Sequence, residues 1–256
     1  MSAHNRRPPA GKQKRDGGAR PTEAALIYGA HAVREALTAG KRKLVALYAT
    51  ANAIARIEDV AKAAGLKPQL VEARELTRRL GEEAVHQGLL LEAGPLPERD
   101  LSDVAATGGL ILLLDQITDP HNVGAILRTA AAFAVEAIVV TERHSPQFSG
   151  VLAKAAAGAV DALPYARVVN LARALDELAD LGWRAVGLAG DAPETLEAVL
   201  DGRPTVLVLG SEGEGLRRLV GEHCDALARI PMPGGFESLN VSAAAAVALY
   251  EATRRR

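Results

Sequence analysis

From Leu110 to Phe133 the chain reads LILLLDQITDPHNVGAILRTAAAF, and this stretch decides the fold. Five consecutive apolar residues, Leu110 to Leu114, leave no polar face to turn to water, so they predict a strand covered on both sides. Asp115 to Pro120 then supply polar residues and a proline that end the strand. A helical pattern follows over Val123 to Ala134, with Asn122 as its expected N-cap. A doubly covered strand feeding a helix is the repeating unit of a parallel sheet.

Toward the carboxyl end the same alternation recurs. Strands are predicted at Ala137 to Val140, Ala162 to Val168, Arg184 to Leu188, Thr205 to Leu209 and Ala226 to Ile230. Helices are predicted at Gln147 to Ala157, Leu171 to Leu181, Gly215 to Gly221 and Ser238 to Arg254. The expectation is one α/β domain over residues 109–256, with a mainly parallel sheet and helices on both faces. Toward the amino end, residues 94–108 contain Pro95 and Pro97 and read as a linker with room for a helical piece at Ser102 to Ala106. Residues 24–93 read as a smaller α/β module: helices at Ala30 to Thr38, Ile54 to Ala64 and Arg74 to Gly81, strands at Lys43 to Tyr48, Gln69 to Glu72 and Gly88 to Glu92. Residues 1–21, rich in Gly, Pro, Lys and Arg and without apolar periodicity, are expected to be a disordered basic tail.

The net charge of -1 hides a gradient, +5 over residues 1–21, +1 over residues 22–95 and -7 over the rest. An acidic body with a basic arm allows RNA contact at one end, and a solubilising tail is the plainer reading of the arm. A single cysteine, Cys224, excludes an internal disulfide, and no His/Cys cluster has metal-ligand spacing, so no metal is expected. No apolar run approaches the length of a membrane-spanning helix, and the first residues lack the apolar segment of an export signal. A cytoplasmic location with no membrane partner is the expectation.

Ligands of open parallel sheets gather outside the carboxyl ends of the strands, and three segments there stand out. In the first, Arg128 follows Asn122 by six residues; taken singly, these are a cap and a solvated charge. In the second, LVLGSEGEGLRRL (Leu207 to Leu219), the glycines Gly210, Gly213 and Gly215 have neither the dinucleotide nor the P-loop spacing. Glu212 would repel a phosphate there, whereas it suits a cation or a hydroxyl donor. Alone, this is a glycine turn from strand to helix. The third runs from Ile230 as IPMPGGFESLNVSAAAAVALYEATRRR, where Ser238, Asn240 and Ser242 exceed what one helix cap needs. The small face of Ala243 to Ala246 lets another backbone approach closely. His86, Trp183, Cys224 and the Asp115/Asp119 pair each have a simpler structural reading.

Together and in this order, NVGAILRTAAAF, LVLGSEGEGL and IPMPGGFESLNVSAAAAVALYE resemble the three motifs of the SpoU or TrmH-like family of RNA ribose 2'-O-methyltransferases, within the SPOUT superfamily. The resemblance spans about the last 150 residues. IYGAHAVREAL and HQGLLLEA resemble the small ribosomal-protein-like substrate-binding domain of the branch that methylates a guanosine of large-subunit (23S) ribosomal RNA. The resemblance implies a deep trefoil knot formed by the segments holding the second and third motifs, and a homodimer whose active site draws on both chains. It implies S-adenosylmethionine as cofactor, held at Gly210, Ile230 and Leu239 with support from Met232. Asn122, Arg128, Glu212, Ser238 and Asn240 match the family's polar catalytic set.

Methyl transfer to a hydroxyl needs positioning and stabilisation of the developing alkoxide, and no metal or covalent intermediate. A guanidinium stays protonated, so Arg128 is assigned an electrostatic role on the ribose oxygen and adjacent phosphate, with Ser238 and Asn240 orienting that group and the cofactor. Phe236 and Glu237, in a loop that varies among relatives, are expected to bear on substrate contacts. Transfer RNA as substrate, and a non-catalytic RNA-binding or ribosome-assembly protein of the same fold, are the alternatives.

Overall fold

A computed structural model of the chain describes residues 24–105, 108–148, 150–235 and 238–255. The basic tail of residues 1–21 and the Phe236–Glu237 pair lie outside the described residues.

The amino-terminal part runs β1 (Ala25–Tyr28), α1 (Ala30–Ala39), β2 (Leu44–Ala49), α2 (Ala51–Ile54), α3 (Glu58–Ala63), β3 (Gln69–Leu70), α4 (Ala73–Leu80) and β4 (Leu89–Ala93). Its strands lie in the order β1-β4-β2-β3, with β4 antiparallel to both neighbours. Strand β1 was not among the predicted elements. ALIY is too short to show a period, and only its pairing of Ala25–Tyr28 with Ala93–Leu90 defines it. The helix predicted over Ile54 to Ala64 is two, because the backbone at Ile57 leaves helical geometry and sends that side chain into the core.

The carboxyl-terminal part runs α5 (Leu101–Val104), β5 (Leu110–Leu114), α6 (Pro120–Ala132), β6 (Ala137–Thr141), α7 (Gly150–Ala155), α8 (Ala159–Ala162), β7 (Tyr165–Val168), α9 (Leu171–Asp180), β8 (Arg184–Leu188), β9 (Glu194–Thr195), α10 (Leu196–Val199), β10 (Thr205–Leu209), α11 (Arg218–Glu222), β11 (Ala226–Arg229) and α12 (Val241–Arg254). Its strands form one parallel sheet in the order β7-β6-β5-β10-β8-β11-β9. The LILLL run behaves as its composition demands. Leu110, Leu112 and Leu114 enter a core shared with Ile126 and Leu127 of α6 and Leu249 of α12, while Ile111 and Leu113 enter a second core with Leu175 and Leu178 of α9. All five are buried, each contributing about 1.5–3 kcal/mol of transfer free energy.

Helix α6 begins earlier than predicted. Asp119, not Asn122, is the N-cap: its carboxylate accepts from the N–H of His121 at 3.0 Å and of Asn122 at 3.3 Å, and Pro120 fills the first position, where no N–H is needed. At the other end of the domain Asn240 caps α12, accepting from the N–H of Ser242 at 3.0 Å, so the helix starts at Val241 rather than Ser238. The strand predicted from Ala162 begins at Tyr165, because Ala159–Ala162 form α8 after Gly158 at φ +93°. The two-residue strand β9 and the short α10 were not predicted.

Residues 94–105 are strapped along the sheet. The N–H of Arg99 bonds the carbonyl of Tyr165 on the edge strand β7, the Tyr165 hydroxyl donates to the carbonyl of Leu96, and the Trp183 indole donates to that of Ala105. This covers an edge that would otherwise be open to pairing. The two parts of the chain are packed together: Ala153 of α7 belongs to the amino-terminal core, and Arg42 forms a buried ion pair with Asp161 of α8.

Candidate active site

The chain lays down β5, β6 and β7 in one direction, then β8 on the far side, and β10 enters between β5 and β8. The strand order reverses there, which is where an open sheet forms a crevice at its carboxyl edge. A cavity of about 1070 Å³ lies at that edge, walled by the segments after β8, β10 and β11. Gly210, Ile230, Met232 and Leu239, the four positions implied for the cofactor, all line it. Glu212, Ser238 and Asn240 line it as well.

The wall after β10 is a closed loop. Ser211 and Gly215 exchange backbone hydrogen bonds at 3.0 Å in each direction. The fold back is so tight that a Cβ on Gly210 would lie 2.1 Å from the backbone carbon of Gly215, and Gly213 and Gly215 both take positive φ.

Glu212 is the hub of the polar set. Its Oε1 accepts from the side-chain amide of Asn240 at 2.6 Å, from that of Asn122 at 3.2 Å and from the N–H of Val241 at 3.2 Å. The Asn240 amide also donates to Oδ1 of Asn122 at 3.0 Å, while Oδ1 of Asn240 accepts from the hydroxyl and N–H of Ser242. Residues from the three sequence segments therefore meet on one carboxylate oxygen. The segments after β10 and β11, in which the resemblance places the knot, are pinned to each other at this point. Oε2 of Glu212 has no hydrogen bond among the described residues.

Charge decides what the cavity accepts. Asp191, Glu212, Glu214 and Glu222 line it against Arg217 and Arg218. Both guanidiniums are engaged, Arg217 with Asp115 at 2.7 Å and Arg218 with Glu222 at 2.5 Å. The lining is therefore net acidic, which suits a positively charged ligand and opposes a phosphate. Among the described residues no three His, Cys, Asp or Glu side chains gather as metal ligands.

Arg128 stands apart. It is exposed, does not line the cavity, and makes no hydrogen bond or ion pair among the described residues. With Asn122 in the first turn of α6, six residues turn the helix by about 600°, placing Arg128 about 120° around the axis and about 9 Å along it. The fold of the single chain does not bring Arg128 to Asn122. Ser238 lines the cavity and is exposed, without a hydrogen bond among the described residues.

The Asp115/Asp119 pair resolves into two structural roles, an ion pair to Arg217 and the cap of α6. Sequence reasoning passed over Asp115–Arg217 because 102 residues separate the partners. His86 accepts from the N–H of Gly88 and lies 3.2 Å from the Thr77 hydroxyl, fixing the turn into β4. Trp183 is buried beneath α5. Burial, with the carboxylates of Asp225 and Asp115 nearby, pushes the Cys224 thiol up to about 12, so it is no nucleophile.

This fold and site define a parallel α/β domain with a net acidic cavity at its switch point. Residues 109–250 match the SpoU rRNA methylase family, and residues 26–99 match the RNA 2'-O ribose methyltransferase substrate-binding family. The chain is 40% identical over 241 residues to the 23S rRNA (guanosine-2'-O-)-methyltransferase RlmB of Photorhabdus laumondii, covering 90% of this chain and 98% of that one. It is 47% identical over 207 residues to the RlmB of Xylella fastidiosa, covering 78% and 82%. In fold it is similar to the SpoU methyltransferase AviRb from Streptomyces viridochromogenes, solved in complex with the cofactor AdoMet, with a TM-score of 0.78 over 91% of this chain and 90% of that one, at 23% identity. The chain belongs to the SpoU rRNA methylase family.

Proposed function

We propose that this chain transfers a methyl group from S-adenosylmethionine to the ribose 2'-hydroxyl of a guanosine in 23S ribosomal RNA. The observation that carries the reading is the meeting of Asn122, Glu212 and Asn240 on one oxygen at an acidic cavity lined by Gly210, Ile230, Met232 and Leu239. The RlmB relatives, named for that reaction, match along nearly the whole chain.

When bound, the cofactor supplies a methyl group on a positively charged sulfur, and the acidic lining favours that charge. Glu212 holds three donors on Oε1 and offers Oε2 to the ligand. Asn240 spends both donors and its oxygen inside the protein, so it is a positioning residue that keeps Glu212 and α12 in place. Ser238, exposed at the cavity, orients the ribose hydroxyl. Arg128 stabilises the negative charge that develops on the ribose oxygen as the hydroxyl gives up its proton to solvent water; as a permanent cation it does not itself take the proton.

For Arg128 to act, it reaches the cavity of a second copy. Its helix α6 packs against α12, whose outer face carries Val247 and Tyr250, 43% and 57% exposed. Burying that face in a homodimer removes apolar surface from water and carries Arg128 across the interface. Residues 24–93 hold the RNA, with the basic arm of residues 1–21 adding phosphate contacts. No metal takes part, and the protein acts in the cytoplasm.

The test is transfer of labelled methyl to 23S rRNA and to transfer RNA, with the product nucleotide mapped. A 2'-O-methylguanosine in 23S rRNA is expected. Label in transfer RNA alone moves the substrate, and no transfer with retained RNA binding makes the protein an assembly factor. Sedimentation showing only a monomer removes the shared site.

A further inference from the structure

We propose that Asp115 is a positioning residue for the cofactor wall: its buried carboxylate locks the exit of the Gly210–Arg217 loop and so sets the shape of the cavity. Asp115 is fully buried at the carboxyl end of β5, on one side of the crevice, and the loop leaves β10 on the other. Oδ2 accepts the backbone N–H of Arg217 at 3.0 Å and Oδ1 accepts its Nε at 2.7 Å. The N–H of Asp115 in turn bonds the carbonyl of Leu209, the last residue before the loop. One residue thus ties both ends of the loop to β5.

The tip is held from the same segment. Seven residues after Asp115, Asn122 donates to Glu212. Residues 115–122 therefore grip the loop at its entrance, tip and exit, while the loop's own backbone bonds between Ser211 and Gly215 close its turn without fixing it to the sheet. Asp115 touches no cavity space; Arg217, which it grips, lines the cavity with Gly210 and Leu216. A buried carboxylate is costly unless every oxygen is engaged, and here both are engaged by one residue of the loop.

The inference rests on the cofactor reading for its ligand, and on the geometry alone for the loop. Asp115→Asn keeps the volume and removes the charge. Its S-adenosylmethionine affinity, measured by calorimetry, is expected to fall about tenfold or more, the order one lost charged hydrogen bond is worth. Single-turnover methylation at saturating cofactor falls by a smaller factor. Amide exchange of residues 211–217 speeds up while that of β5 and β10 does not. Arg217→Gln lowers affinity in the same direction, and the double variant loses less than the product of the two single losses. Unchanged affinity and unchanged loop exchange in folded Asp115→Asn overturn the proposal. So does a fall in rate alone, which would make Asp115 part of the chemistry. If the wild type itself binds no S-adenosylmethionine, the cofactor reading fails, and the exchange of residues 211–217 still decides the role of Asp115.

Discussion

The Nε of Arg42 lies 2.5 Å from Oδ1 of Asp161, with both side chains out of solvent and 119 residues apart in the chain. Arg42 comes from the turn before β2 and Asp161 from α8, so the pair joins the amino-terminal part to the parallel-sheet domain. The guanidinium also donates to the carbonyls of Phe148 at 2.9 Å and Gly94 at 3.4 Å. Oδ2 of Asp161 is buried with no hydrogen-bond partner among the described residues.

Removing one partner of this pair leaves an uncompensated buried charge. Arg42→Met is expected to destabilise the protein by about 3–5 kcal/mol, whereas Arg42→Met with Asp161→Leu recovers most of the loss. Urea unfolding measures both. A single variant within about 1 kcal/mol of wild type would mean that Asp161 reaches water without Arg42.

Gly210 and Gly213 separate two reasons for glycine in one loop. A methyl group at Gly210 meets the backbone of Gly215 at 2.1 Å, which no rotamer relieves. Gly210→Ala should therefore abolish cofactor binding. Gly213 has open space and φ +86°, so Gly213→Ala costs only the left-handed backbone, about 1–2 kcal/mol, and leaves binding measurable. Calorimetric titration with S-adenosylmethionine compares the two, and equal losses would refute the steric account.

For Arg128 the structure sharpens the expectation. Lying outside the cavity of its own chain, it should not affect cofactor affinity. Arg128→Ala should lower the methylation rate by about 10² to 10³, the usual loss for one donor to a developing oxyanion. Arg128→Lys should restore little, because the planar fork is gone. A shift of the pH–rate profile toward lower pH in Arg128→Lys would instead mark a general base. Mixing Arg128→Ala with Glu212→Gln protomers should regain activity at one site per heterodimer if the site is shared.

Cys224 yields a pH prediction. Its thiol has a folded value of about 12 against an ordinary 9.0, raised first by burial and then by Asp225 and Asp115. A raised value means that the neutral form is favoured by folding. The contribution is complete below pH 9 and is lost as the pH climbs toward 12. Native protein should resist iodoacetamide at pH 8, and unfolding should release one reactive thiol. Rapid alkylation of the native protein would show an open, ionised sulfur.

Local pattern sufficed wherever a segment's neighbours in sequence are its physical determinants. Five apolar residues in a row at Leu110 to Leu114 require cover on both faces, and the recurrence of such runs determined a parallel α/β domain. The spacing of glycines around Glu212 matched neither the dinucleotide nor the P-loop pattern, and the three motifs in order identified the family. Boundaries were less legible. Asp119 and Asn122 are both good caps, and the choice fell to Asp119 because Pro120 sits best at the first helical position. What only tertiary structure decided are the pairings made across more than a hundred residues: Arg42 with Asp161, Asp115 with Arg217, Asn122 with Asn240. A carboxylate reads the same in sequence whether it faces water or a buried guanidinium. Its partner is set by which strand ends and helix ends the sheet brings together, and that depends on β10 entering beside β5, an event no local pattern encodes.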